Sequence, residues 1–197
     1  MHWMIKCRSK PGTGELRKAT IPAHRAHLDK YPDETWFSGP LFTDDGESAI
    51  GSLRFIEFPD RAAAEAYINT DPYSLAGIFE NVDVVRWRPS LEHRQRSYDR
   101  QEGTQQFIVH CTDVPDSADL RAPLRLAHQE YLNGLGRQVI ARGPLLTDDG
   151  ETTIGSAFLI DVADRAAAEA LIANEPYTKA GGIYDHMTID RWVFGHV

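Results

Sequence analysis

The chain of 197 residues has an ordinary globular composition, with 42% hydrophobic and 25% charged residues, which excludes a disordered tail or a fibrous repeat. Its net charge of −8 argues against nucleic acid or an anionic membrane as a partner, because both attract basic surfaces. The sequence has neither an apolar run of the roughly 18 residues that a membrane span needs nor the apolar core of a signal peptide. Its two cysteines form no disulfide framework, so a cytoplasmic location is expected.

In chain order, the first 90 residues predict the elements β-α-β-β-α-β. The strands are expected at 3–8, 35–42, 51–58 and 82–88, and the helices at 15–31 and 61–69. Pro22 should kink or interrupt the first helix. Asp60 suits the N-cap of the alanine-rich second helix, which the Asp71-Pro72 pair should end.

The chain contains an internal tandem repeat. The segment GPLFTDDGESAIGS at 39–52 returns as GPLLTDDGETTIGS at 143–156, and DRAAAEA at 60–66 returns at 164–170. A shared offset of 104 residues is too long for a solenoid repeat of about 20–50 residues and indicates a duplicated small domain. We expect a first unit at 1–90, a flexible polar linker at 91–104 and a second unit at 105–197.

The predicted element order is that of the ferredoxin-like fold, an antiparallel sheet with helices on one face. The other face needs a cover, and a second copy in the same chain can supply it. The sequence therefore predicts an α+β protein whose tandem ferredoxin-like units form an intramolecular dimeric α+β barrel, that is, a pseudo-dimer. Association of such chains into a further homo-oligomer is left open.

Both units resemble the YCII-related (YciI-like) family. The shared features of the first unit are PAHRAHL at 22–28, GPL at 39–41, Gly51-Ser52, Asp71-Pro72-Tyr73 and Arg86-Trp87. Those of the second unit are LAHQEYL at 126–132, GPL at 143–145, Gly155-Ser156, Glu175-Pro176-Tyr177 and Arg191-Trp192. The resemblance implies the dimeric α+β barrel, a site made of the helix-1 histidine and the DP aspartate, and cofactor-free lyase or dehydrohalogenase chemistry on small ring compounds.

His24 and Asp71 are accordingly the first catalytic candidates. An imidazole titrates near neutral pH and can accept and donate a proton, and a carboxylate on its other nitrogen fixes the tautomer. Such a pair suits proton abstraction next to a carbonyl or proton transfer during an elimination. The plainer interpretation is that Asp71 ends a helix and His24 packs against its neighbours.

His27 is an alternative to His24 and also a candidate for substrate binding, because it lies three residues later on the same helical face. The gapless alignment favours His24, which it pairs with His128, whereas His27 pairs with Tyr131. His24, His27 and Asp71 together could bind a metal, but the second unit lacks the second histidine, so no metal is predicted.

The second unit departs from the pattern, since Glu175 stands where the first unit has Asp71. The longer carboxylate can still pair with His128, with its geometry shifted by about one methylene. Either this second site works differently or it has decayed. The sequence favours the first unit as the one that carries the chemistry.

Arginines near the hairpin strands are candidates for substrate binding. Ser38 and Arg54 should lie opposite each other across the second hairpin, and the corresponding pair in the second unit is Arg142 and Phe158. An arginine aimed into the cleft can hold a carboxylate or a phenolate. A solvent-facing arginine is the plainer alternative.

Two further pairs are candidates for substrate contacts. Ser52 and Ser156 can donate a hydrogen bond to a substrate oxygen, or they can merely satisfy backbone groups. Tyr73 and Tyr177 can line a pocket for a planar substrate, or they can pack against the first helix.

These features predict an enzyme without organic cofactor that acts on a small cyclic or enolisable oxygenated metabolite. The expected chemistry is acid–base, of the lyase, dehydrohalogenase or isomerase type. Two alternatives remain, a non-catalytic small-molecule-binding or regulatory module, and a cofactor-free oxygenase of the same superfold.

Overall fold

A computed structural model describes residues 1–197, which divide into two compact units. The first unit comprises Met1–Trp87, Arg94–Tyr98 and Trp192–Val197, and the second comprises Arg88–His93 and Asp99–Arg191. These bounds differ from the predicted ones, because the expected linker is divided between the units and the last six residues belong to the first unit. No helix of the chain is long and apolar enough to span a membrane.

The first unit has the predicted order of elements with one short helix added. The strands are β1 (His2–Ser9), β2 (Thr35–Phe42), β3 (Ala49–Glu57) and β4 (Phe79–Trp87), and the helices are α1 (Gly14–Leu28), α2 (Arg61–Asn69) and α3 (Pro72–Leu75). The sheet has the order β4-β1-β3-β2, with antiparallel pairs. This is the ferredoxin-like arrangement.

The second unit repeats this order, but its first helix is interrupted. The strands are β5 (Gln105–Asp113), β6 (Val139–Leu146), β7 (Thr153–Val162) and β8 (Tyr184–Trp192), and the helices are α4 (Ala118–Arg121), α5 (Arg125–Gly134), α6 (Arg165–Ala173) and α7 (Pro176–Ala180). A 3₁₀ turn with Pro123 in it, Ala122–Leu124, joins α4 to α5. The sheet order is β8-β5-β7-β6. The predicted α+β class with two ferredoxin-like units is confirmed.

Each unit has its own core between the sheet and the helices. In the first unit, alternate residues of β1 pack against α1 and α2, and the buried cluster is Trp3, Ile5, Cys7, Leu28, Ile56, Phe58, Ala64, Tyr67 and Ile68. Cys111 occupies the matching core position in the second unit. Burial raises the pKa of the Cys7 thiol to about 12, so this cysteine is a packing residue and not a thiolate nucleophile.

The prediction of a break at Pro22 is wrong, because α1 runs as one element of 15 residues with Pro22 inside it. Pro22 lies on the exposed side of the helix. The buried side, which carries His24 and Leu28, is therefore not interrupted by the ring.

A close approach of two strands explains the Gly-Ser motif of each unit. A Cβ at Gly51 would lie 2.2 Å from the carbonyl oxygen of Cys7, and a Cβ at Gly155 would lie 2.2 Å from that of Cys111. Only glycine fits this position without moving the backbone.

Gln95 explains why part of the expected linker belongs to the first unit. It is 2% exposed, its side-chain oxygen accepts a hydrogen bond from the Ser38 N–H, and its side-chain nitrogen donates to the Gly195 carbonyl, both at 2.8 Å. The Gly195 N–H in turn donates to the Ser38 carbonyl at 2.9 Å. The segments 94–98 and 192–197 are thus joined to β2 by hydrogen bonds.

Candidate active site

The first unit brings His24 and Asp71 together as predicted. The Asp71 carboxylate caps α3, accepting a hydrogen bond from the Tyr73 N–H at 2.9 Å. The same side chain, which is fully buried, lies 2.9 Å from the His24 Nδ1 atom on α1. The DP motif therefore ends α2, begins a short helix and aims a carboxylate at the imidazole.

Arg54 closes this pair from the other side. Its side chain on β3 is 1% exposed, and Nη2 lies 2.9 Å from Asp71 Oδ2 and 3.2 Å from His24 Nε2. Because a guanidinium only donates, His24 accepts at Nε2 and donates from Nδ1 to the carboxylate. Both ring nitrogens of His24 are thus engaged within the protein, and Arg54 is not the solvent-facing residue of the plainer interpretation.

The electrostatics of this cluster follow from its burial. Burial lowers the pKa of His24, and this effect outweighs the raising effect of Asp71. Burial alone would raise the pKa of Asp71, but the hydrogen bond from His24 and the charge of Arg54 hold it below its usual range. At neutral pH the cluster is therefore a neutral imidazole between an ionised carboxylate and a guanidinium.

The second unit builds the same pair without the arginine. Glu175 caps α7 and is fully buried, and its Oε1 atom lies 2.5 Å from His128 Nδ1 on α5. The residue at the position of Arg54 is Phe158, whose ring centroid lies 6.2 Å from that of His128. His128 Nε2 has no hydrogen-bond partner in the protein, and His128 lines a cavity of about 380 Å³.

A stack of side chains flanks each histidine. The ring of Tyr73 stacks on His24 with centroids 3.9 Å apart, and Tyr177 stacks on His128 at 4.1 Å. Both tyrosines line the cavity of their unit. Each tyrosine thus packs against the helix that carries the histidine, α1 or α5, and also forms a flat wall of the cavity.

Sequence reasoning missed Arg17 and Arg121, which cover the other faces of the tyrosines. The guanidinium of Arg17 lies 4.5 Å from the Tyr73 centroid, and that of Arg121 lies 4.7 Å from the Tyr177 centroid. The signal was present in the sequence, because each arginine precedes its histidine by the same distance in both units.

These arginines also engage the two candidate serines. Arg17 Nη2 donates to Ser52 Oγ at 2.8 Å, and Arg121 Nη2 donates to Ser156 Oγ at 3.1 Å. Ser52 and Ser156 line their cavities, with their oxygens already accepting from an arginine.

Arg142 lies at the position predicted for it, opposite Phe158 in the β6–β7 register, as Ser38 lies opposite Arg54 in β2–β3. Its Nη2 atom donates to Asn133 Oδ1 at 2.5 Å, and it lines the second cavity. Burial lowers the pKa of this guanidinium.

The structure places His27 outside the lining of the cavity beside His24. Its ring packs against Tyr67 and Tyr31, with centroids 4.9 and 5.4 Å away, and it does not line the cavity of about 490 Å³ beside His24. His27 lies three residues after His24 on α1, and its ring points toward Tyr67 on α2 instead of toward β3. The structure shows no group of three or more histidine, cysteine or acidic side chains placed to bind a metal.

Three comparisons describe what the chain is similar to. Protein YciI of Escherichia coli O6:H1 is 34% identical over 91 residues, which are 43% of this chain and 93% of that protein. The solved structure of 5-chloro-2-hydroxyhydroquinone dehydrochlorinase from Burkholderia phenoliruptrix AC1100 is 25% identical over 45% of this chain and 94% of its own, with a TM-score of 0.42. A mutant chlorite dismutase of Candidatus Nitrospira defluvii matches 98% of this chain and 91% of its own, with a TM-score of 0.64 and 7% identity.

The chlorite dismutase match covers nearly the whole chain and shows a shared fold and nothing more, since so few residues are identical. The model of the YCII-related domain matches residues 1–88 and again residues 105–193. The chain therefore belongs to the YCII-related family and carries two of its domains in tandem.

Proposed function

We propose that the chain is a cofactor-independent acid–base enzyme of the lyase, dehydrohalogenase or isomerase type. Its substrate would be a small cyclic or enolisable oxygenated compound. The observation that carries the proposal is the His128–Glu175 pair, in which Nδ1 is bound by a buried carboxylate and Nε2 is free beside a cavity.

The roles follow from the tautomer that this pair imposes. His128 donates a hydrogen bond from Nδ1–H to Glu175, so the lone pair on Nε2 can take a proton from a substrate carbon next to a carbonyl or from a ring hydroxyl. In an elimination, the electron pair left behind forms the double bond and the leaving group departs with its own pair. In an isomerisation, the imidazolium returns the proton to a different atom. Glu175 stabilises the imidazolium in both reactions.

The geometry supports the second unit as the catalytic one, in contrast to the preference drawn from the sequence. In the first unit Arg54 donates to His24 Nε2, which is the atom that a general base needs free. The longer carboxylate of Glu175 does not weaken the second pair, because the glutamate still reaches Nδ1 and still caps its helix.

A second candidate function, non-catalytic ligand binding, is favoured by one observation in the first unit. The cavity beside His24 has a volume similar to that of the second unit, yet its histidine is held between Asp71 and Arg54. Such a cavity can bind a ligand without offering it a base.

The test compares His128→Gln with the matched variant His24→Gln. Ligands are first found by thermal shift among phenols, quinones, lactones and keto acids, and each hit is then followed by NMR in D₂O for exchange of carbon-bound protons and for product. We expect His128→Gln to reduce exchange or turnover at least about 100-fold, which is within the range for a general base, and His24→Gln to retain most of it. Full activity in His128→Gln would overturn the assignment. Hits that are recovered unchanged and unexchanged would favour the binding module.

A further inference from the structure

We propose that the cavity of the second unit selects small ring compounds that carry an oxyanion, either a carboxylate or a phenolate, and that Arg142 is the residue that selects for the charge. This inference rests on the proposed function in taking that cavity as the substrate site.

Arg142 carries a positive charge that the protein leaves unbalanced. Its side chain is 9% exposed, and its Nε and Nη1 atoms are buried without a hydrogen-bond partner. The only hydrogen bond of its side chain goes to the neutral amide of Asn133, and no carboxylate pairs with it. Buried guanidinium N–H groups are normally paired, because leaving them unpaired costs free energy. An anion in the adjoining cavity, which Arg142 lines, would balance this charge.

The surroundings of Arg142 add to the positive charge. Arg88, Arg121 and Arg125 also line the cavity, and no aspartate or glutamate does. Asp113 neutralises Arg121 through two contacts of 2.6 Å, which leaves three arginines unneutralised at the cavity. The chain as a whole has a net charge of −8, but the lining of this cavity is positively charged. A cleft lined by charges of one sign concentrates ligands of the opposite sign.

The remaining walls suit a ring. Leu132, Pro144, Phe158 and Tyr177 line the same cavity, and its volume of about 380 Å³ lies in the range of small-molecule sites. His128 lines this cavity as well, so a ring bound to Arg142 through its oxyanion would lie within the same cavity as the proposed base. A guanidinium fork matches the two oxygens of a carboxylate.

The duplication makes this selection a property of the second unit. The first unit has Ser38 at the position of Arg142, and its own strand arginine, Arg54, is already paired with Asp71. Each unit therefore has one arginine at this pair of positions, but on a different strand. Arg54 on β3 pairs with a protein carboxylate, whereas Arg142 on β6 pairs with none.

The experiment measures binding directly, so that it does not depend on turnover. Benzoate and 4-nitrophenolate, with benzamide and nitrobenzene as neutral counterparts, are titrated calorimetrically into wild type, Arg142→Met and Arg96→Met. We expect wild type to bind the anions at least about 10-fold more tightly than the neutral compounds, a difference of about 1.4 kcal/mol. Arg142→Met should lose this preference, whereas the variant at exposed Arg96 should keep it.

Folding is controlled by the melting temperature. Arg142→Met should melt at or above the temperature of wild type, because methionine replaces a buried charge without a partner. An anion preference that survives in Arg142→Met, or its absence from wild type, would overturn the inference. Anion binding without any His128-dependent reaction would leave the inference standing and refute the acid–base proposal, and a His128-dependent reaction without charge preference would do the reverse.

Discussion

At the scale of single residues, the two units differ most in one exchange, Arg54 for Phe158. Both units keep a histidine bound to a buried carboxylate that caps a helix. In the first unit the arginine occupies the remaining imidazole nitrogen, and in the second unit a phenyl ring leaves that nitrogen open. One substitution thus separates a closed polar cluster from an imidazole with one nitrogen free of protein contacts.

Asp71→Asn should destabilise the protein by about 3–5 kcal/mol, because it leaves the buried charge of Arg54 without its carboxylate. Glu175→Gln is the matched control. It removes a carboxylate that no arginine pairs with, so its cost should be about 1–3 kcal/mol. Urea unfolding measures both values, and equal losses would show that Arg54 contributes no unpaired charge.

The same cluster predicts a loss of stability in acid, in two steps. The pKa of folded His24 is lowered, so as the pH falls below about 6.5 the unfolded chain takes up its proton first and the free energy of unfolding decreases. The pKa of folded Asp71 is also lowered, so its contribution is complete above about pH 3.9 and is lost as the pH falls through the folded pKa.

Urea unfolding of wild type and His24→Gln between pH 7 and pH 3 measures these steps. The variant should lose part of the upper step, and it should keep the part of the lower step that depends on the charge of Arg54. Part of the upper step remains in the variant because burial lowers the pKa of His2 and His27 too. A wild-type stability that is constant from pH 6.5 to pH 5 would contradict the prediction.

At the scale of elements, local sequence patterns were sufficient for much of the first unit. The predicted bounds 35–42 and 61–69 agree with β2 and α2, Asp60 caps α2 as expected, and the hairpin register pairs Ser38 with Arg54. These features depend on neighbours in sequence or across one turn. The contact between Arg54 and His24 depends on how α1 packs against β3, which no local pattern records.

Gly51→Ala and Gly155→Ala should each cost about 1–3 kcal/mol or more, because the added methyl meets a backbone carbonyl of the neighbouring strand. Gly134→Ala is the control, since that glycine ends α5 with open space around its Cα. It should leave the stability unchanged or raise it by about 0.4–1 kcal/mol. Chemical denaturation compares the three variants, and a tolerated alanine at Gly51 or Gly155 would mean that the strands can separate without cost.

At the scale of the whole molecule, the compact units do not follow the repeat. The repeat predicts a first unit that ends near residue 90, and the family match ends at residue 88. The first unit nevertheless includes 94–98 and 192–197. Gln95 and Gly195 gave no sequence signal for this, because glutamine and glycine in polar or terminal segments are ordinary surface residues.

Gln95→Ala should cost about 1–3 kcal/mol, because it leaves the Ser38 N–H and the Gly195 carbonyl without their partner. Hydrogen exchange followed by mass spectrometry should show faster exchange in β2 and in 192–197 of the variant. The exposed neighbour Arg96→Met serves as the control and should exchange like wild type. Unchanged protection of both segments in Gln95→Ala would refute the structural role of this glutamine.

The first unit includes residues from both ends of the chain, and this affects the order in which the units can fold during synthesis. Domains generally fold as units during translation, the N-terminal one first. Here Phe194, Gly195 and His196 line the cavity beside His24, so the domain that leaves the ribosome first is completed last. A nascent or prematurely terminated chain that lacks residues 192–197 would carry a first domain with an open cavity, which chaperones and proteases can recognise as unfinished.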